Sequence, residues 1–240
     1  MGLIDNTIRD LRALMEGLPG RKVALPSVPW PRGGPRNIVL GEDVGLELGN
    51  PSDESVACVL WSDDMDAIND GDSTLVGPDF PESIGTTLPF GKVVLVGDEG
   101  YDEDMSYERC VELDQLRYKI DLQGFMLRAT SPYQREWCRI SKQALRAGYF
   151  SGHLAAALMK ELKSTPYVRS AELIFFTSSP KDISELREIV KPAARLIAAM
   201  DKMAGELDCD CADCEFEDVC DEAEVLKRKR ERAKSARHTA

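Results

Sequence analysis

The sequence predicts an α/β fold: a mixed β-sheet with packed helices, followed by a small cysteine-rich metal-binding segment and a C-terminal basic helix. Three observations carry this. Short apolar runs rich in Val, Ile and Leu, bounded by turn residues, dominate residues 37–97. Helical spacing then alternates with two further strand-like runs as far as about residue 203. Beyond them, four cysteines fall within twelve residues and a run of Lys and Arg follows.

Residues 1–35 begin with a helical pattern (Ile4, Ile8, Leu11, Leu14, Met15) and continue into PSVPWPRGGP, whose prolines and glycines suit neither a helix nor a central strand. This stretch reads as an N-terminal arm or linker. Residues 36–205 read as the α/β domain, 206–224 as the cysteine-rich segment and 225–240 as the basic tail. Within the domain, NIVL at 37–40, VACVLW at 56–61, STLVG at 73–77 and KVVLVG at 92–97 are expected strands. Apolar spacing from Cys110 to Met126 predicts a helix between Ser106 and Arg128. EWCRIS (136–141) reads as a strand with alternating faces, and the following helical stretch is expected to split near Gly148 and Ser151. VRSAELIFFT (168–177) is a strand, Ser179-Pro180 starts the next helix, and Pro192 marks a kink or fresh start within it.

Composition bounds the function. The chain has 240 residues, 43% hydrophobic and 30% charged, enough to bury a core. Thirty Lys+Arg against 42 Asp+Glu give a net charge of −12, which argues against duplex nucleic acid or an anionic membrane as partner of the whole molecule. No segment approaches the apolar length of a membrane span and the first residues have no sustained apolar h-region, so the expected location is cytoplasmic. Two histidines, His153 and His238, argue against a His-based triad, and no P-loop or GxGxxG is present.

Cys209, Cys211, Cys214 and Cys220 make a Cys-x-Cys-x2-Cys-x5-Cys run. Thiolates this close in sequence can wrap one compact centre, and their softness selects iron–sulfur or zinc over magnesium or calcium. Grouping all four in one short run is closer to iron–sulfur than to zinc-ribbon spacing, so a [4Fe-4S] cluster leads, with structural zinc or unligated redox thiols as alternatives. Ten acids and no bases accompany them from Glu206 to Glu224.

A reversal of charge marks the middle of the chain. Arg117, Lys119, Arg128, Arg135, Arg139, Lys142 and Arg146 face only Asp121 and Glu136 between residues 117 and 146. Guanidinium groups beside Trp137 and Tyr133 suit a phosphorylated ligand with an aromatic base; a solvated helix face is the plainer reading.

REWCRISKQALRAGYF resembles the Trp-x-Arg-Ile/Val-Ser-Lys segment of acetyl-CoA synthase and of its archaeal equivalent, the beta subunit of the acetyl-CoA decarbonylase/synthase complex. GEDVGLELG (41–49), STLVGPDF (73–80), YERCVELDQLRYKIDLQGFM, ELIFFTSSP and a cysteine cluster follow the same order, across roughly residues 38–220. The resemblance implies an α/β domain that contacts coenzyme A through Trp137, Arg139 and Lys142, with Arg135 beside them. It also implies a protein partner in a one-carbon or corrinoid complex. The family's first cysteines are spaced more widely than Cys211, Cys214 and Cys220, and its Cys-Gly-Cys nickel motif does not occur in these 240 residues, so a complete acetyl-CoA synthase site is not expected from this chain alone. The expected function is an iron–sulfur subunit or accessory protein acting by electron transfer or cluster presentation. The alternatives are a coenzyme A- or nucleotide-binding acyltransferase subunit and a zinc-stapled interaction module.

Overall fold

Side chains alternate along a strand, so a strand that is apolar on both faces must be covered on both. A computed structural model, which describes residues 2–98, 106–131, 135–205 and Val219, meets that requirement with two cores on either side of one sheet.

The elements are α1 (Leu3–Glu16), β1 (Gly20–Lys22), β2 (Val44–Leu48), β3 (Ser55–Ser62), β4 (Ser73–Val76), β5 (Thr86–Leu88), β6 (Phe90–Gly97), α2 (Ser106–Gln115), β7 (Phe125–Ser131), β8 (Arg135–Ser141), α3 (Lys142–Arg146), α4 (Ser151–Lys163), β9 (Ser170–Phe176) and α5 (Pro180–Gly205). Where the sequence suggested one mixed sheet, the described residues form two. A five-stranded sheet runs β1-β4-β9-β6-β3, and a four-stranded sheet runs β5-β2-β8-β7. Both are mixed: β3/β6 and β4/β9 are parallel while β6/β9 is antiparallel, and β2/β5 is parallel while β2/β8 and β7/β8 are antiparallel.

Val56, Cys58 and Leu60 of β3 point to α1 and α5, and Val59 points the other way, to α4 and the second sheet. On the first side α1 buries Ile4, Ile8 and Leu11, each worth about 1.5–3 kcal/mol of apolar burial. Arg12 of the same helix makes a bidentate pair with Glu172 of β9, at 2.6 and 2.5 Å. Val219 is buried in this core too. On the other side Leu154, Ala155, Leu158 and Leu162 of α4 pack with Leu46, Cys138, Ile140 and Phe125 of the second sheet.

The expected helix between Ser106 and Arg128 is shorter than its pattern. It ends at Gln115, passes through a 3-10 turn to Lys119, and Phe125–Ser131 is the edge strand β7. Gly124, at φ +77°, turns the chain into that strand, where antiparallel pairing with β8 satisfies the backbone that a helix would otherwise have bonded. NIVL at 37–40 is not a strand. Ile38 and Leu40 are exposed, and the strand comes later, at β2. The expected split near Gly148 and Ser151 is real: α3 and α4 are separate, with Gly148 at φ +94° between them. Ser179 and Asp182 cap α5 reciprocally, side chain to backbone amide, at 3.3 and 3.1 Å. Pro192 lies inside one continuous α5 rather than starting a new helix. The cysteine segment, apart from Val219, and the basic tail lie outside the described residues.

Candidate functional site

β8 is the strand on which the expected site residues converge. Its alternation buries Glu136, Cys138 and Ile140 and leaves Arg135, Trp137 and Arg139 on the opposite, half-exposed face, as the EWCRIS pattern requires. Glu47 of β2 stands opposite Arg139 in register and accepts a hydrogen bond from its Nε at 2.6 Å. On the other side the β7–β8 register shifts at Arg128, and this bulge directs its guanidinium toward Trp137. The guanidinium carbons of Arg139 and Arg128 lie 5.3 and 5.5 Å from the indole centroid, both within cation–π range. The Trp137 Nε1 is shielded from solvent with no hydrogen-bond partner among the described residues.

The other two expected residues do different work. Arg135, on the same face of the strand, donates to the carbonyl oxygens of Asn50 and, at 3.0 Å, Asp53, clamping the β2–β3 turn. Lys142 begins α3, with its Nζ donating to the Glu42 carbonyl at 2.8 Å. It lines a cleft of about 770 Å³ between α3, the Gln123-Gly124 turn and residues 30–39. Gly45 allows α3 to come this close, because a Cβ there would lie 2.8 Å from the Lys142 Cα. The basic middle is therefore not one patch. Arg117 is buried, Arg135 is bonded to a turn, and Arg128 and Arg139 serve Trp137. Tyr133 lies outside the described residues.

Beneath the buried face of β8 is a group of charges that sequence reasoning missed. Lys92 of β6 bonds Glu136 of β8, and Arg117 bonds Asp114 at 2.7 Å and approaches Glu136 at 3.6 Å. All four are buried, and the two positive and two negative charges balance. Burial raises the Asp114 carboxyl above its ordinary range, although Arg117 and Lys92 oppose the shift. Beside it is a void of about 10 Å³, about the size of one water. The signal in the sequence was Lys92 itself, a charge at the head of an apolar strand.

Among the described residues no group of three or more His, Cys, Asp or Glu could hold a metal ion. Cys58, Cys110 and Cys138 are buried, and burial pushes the Cys58 thiol up to about 12 and the other two well above the usual range. They are protonated thiols and poor ligands. Cys209, Cys211, Cys214 and Cys220 lie outside the described residues. No helix among the described residues is long and apolar enough to cross a membrane.

Comparison with known proteins bears on the same stretch. Residues 36–181, from the cleft through β8 to the start of α5, match the family described as CO dehydrogenase/acetyl-CoA synthase complex beta subunit. Acetyl-CoA decarbonylase/synthase complex subunit beta 1 of Methanosarcina mazei is 28% identical over 170 residues, covering 69% of this chain and 34% of that protein. Subunit beta 2 of Methanosarcina thermophila is 31% identical over 157 residues, covering 62% and 32%. The subunit beta of Archaeoglobus fulgidus is 28% identical over 155 residues, covering 62% and 28%. The chain spans about a third of the length of the curated relatives it matches. With the match running through most of the α/β body, the chain belongs to the CO dehydrogenase/acetyl-CoA synthase complex beta subunit family.

Proposed function

We propose that the chain is an iron–sulfur-carrying subunit or accessory protein of anaerobic one-carbon or corrinoid metabolism, acting with a protein partner by electron transfer or by presenting its cluster. Of Cys209, Cys211, Cys214 and Cys220, which supply the thiolates for a [4Fe-4S] cluster, the last three are the principal ligands and Cys209 the weakest. The observation that carries the reading is this donor set, four thiols within twelve residues, in a member of a family whose relatives are named as subunits of a decarbonylase/synthase complex. Four soft thiolates suit iron–sulfur chemistry. The three described cysteines are buried and protonated, which leaves ligation to the clustered four. Val219, the residue before Cys220, is buried in the core beside α5, which gives the segment an anchor. A bound cluster supplies one-electron chemistry; this chain supplies thiolates and the surface that meets the partner.

The cysteines test it. Cys211→Ser, Cys214→Ser and Cys220→Ser are each expected to lose the cluster, with Cys209→Ser milder, because a single residue between Cys209 and Cys211 makes them awkward joint ligands. Iron content of anaerobically purified variants reads this out. Loss of metal in Cys209→Ser alone would overturn the assignment.

A second reading is favoured by the Trp137 face. An indole with two guanidinium groups beside it suits coenzyme A, whose purine can stack and whose phosphates take forked hydrogen bonds. Coenzyme A is expected to quench tryptophan fluorescence, with Arg139→Ala weakening binding at least about tenfold, the value of one charge-assisted contact. An unchanged spectrum and melting temperature at saturating coenzyme A would mean that Arg139 serves Glu47 alone.

A further inference from the structure

We propose that the cleft between α3 and residues 30–39 is a binding site for a phosphate-bearing anion, read by Arg36, Lys142 and Arg146. It goes beyond the cluster and the Trp137 face, and it shares only Lys142 with the latter. The cleft, about 770 Å³, is lined by three cations against one carboxylate, Asp43, in a chain whose net charge is −12. An excess of positive charge inside a concavity on an acidic molecule concentrates anions where the rest of the surface repels them.

Two features separate this from a scatter of surface cations. Arg36 and Arg146 are exposed, and among the described residues neither guanidinium group has a carboxylate or hydrogen-bond partner. Most arginines nearby are committed: Arg135 to a turn, Arg139 to Glu47, Arg117 to Asp114. The loop that carries Arg36 is also pinned. Asp121 accepts from the Gly33 and Gly34 amides at 3.1 and 3.0 Å. The Asn37 side chain donates to the Leu122 and Phe125 carbonyls at 2.8 and 2.9 Å and accepts from the Gly124 amide at 2.9 Å. Trp30, at the cleft wall, donates to the Gln123 carbonyl at 2.9 Å. Arg146 closes α3, whose approach is fixed by Gly45. Both free guanidinium groups thus stand on backbone that is already ordered, so binding an anion has to order the two side chains but not the chain that carries them, and guanidinium forks match phosphate oxygens.

Isothermal titration calorimetry of the full chain, purified anaerobically, tests this with inorganic pyrophosphate and with adenosine diphosphate. Pyrophosphate is expected to bind below millimolar concentration. Arg36→Ala and Arg146→Ala should each weaken it at least about tenfold, and Arg9→Ala, which removes an equal charge on α1, should leave it unchanged. Adenosine diphosphate binding tighter than pyrophosphate would assign a nucleotide, and equal binding a phosphate compound without a base; both support the site. No heat from either probe at millimolar concentration would overturn it. So would binding that survives in both arginine variants, or binding lost in Arg139→Ala but kept in Arg36→Ala.

Discussion

At the scale of the residue, the interior charges between the sheets are the most consequential feature. Glu136 is held by Lys92 and faces Arg117, and its own backbone is tied to Ser55 through reciprocal bonds of 2.7 and 3.1 Å. Balanced charges of this kind contribute little net stability, because each was taken out of water to form the pair. Removing one is different: without Glu136, Lys92 and Arg117 would be two buried cations sharing the single carboxylate of Asp114. Glu136→Ala is therefore expected to destabilise the fold by about 3–5 kcal/mol, read as a lower urea midpoint, whereas a Lys92→Met, Glu136→Leu double change should cost far less. A small loss in the single variant would mean that the charges are solvated. The same residues explain part of what the sequence concealed. Arg117 and Arg135 looked like members of a ligand patch because a sequence displays a charge without its partner. Trp137 and Arg139 were legible because strand alternation alone puts them on one face.

The element that most clearly carries a pH response is α4. His153 stands in its first turn, where its Nδ1 accepts the Phe150 amide at 3.3 Å, with ring centroids of Trp30, Tyr149 and Phe150 at 4.6, 5.6 and 4.5 Å. Burial lowers its pKa from 6.5, and the charge of Asp79 only partly restores it. A lowered histidine binds its proton less well folded than unfolded, so the stability it contributes is complete above the unfolded value of 6.5 and is lost as pH falls below it. His153→Gln should flatten the slope of melting temperature against pH in that window; an unaltered slope would place the titration elsewhere. Among elements, the long apolar runs β3, β6 and β9 were readable because they are buried on both faces, while β2 and β7 were not. β2 is five residues with a glycine second and a glutamate fourth, and Phe125 and Met126 of β7 fall on a helical spacing by coincidence. What decided β7 was its partner β8, which no local pattern contains.

On the scale of the whole molecule, two sheets and their helices form a scaffold for a half-exposed Trp137 face and a basic cleft, and α5 leads toward the cysteine segment with Val219 packed back against the core. The chain matches its relatives across this body while spanning about a third of their length, so the chemistry assigned to it rests on its own cysteines. Ten acids around those cysteines leave little apolar surface to order the segment without a metal. Metal analysis of anaerobically isolated protein reads the central claim directly. The account predicts a brown protein with broad visible absorption and about four irons per chain. A colourless protein with one tightly held zinc would contradict it and leave a zinc-stapled interaction module in its place.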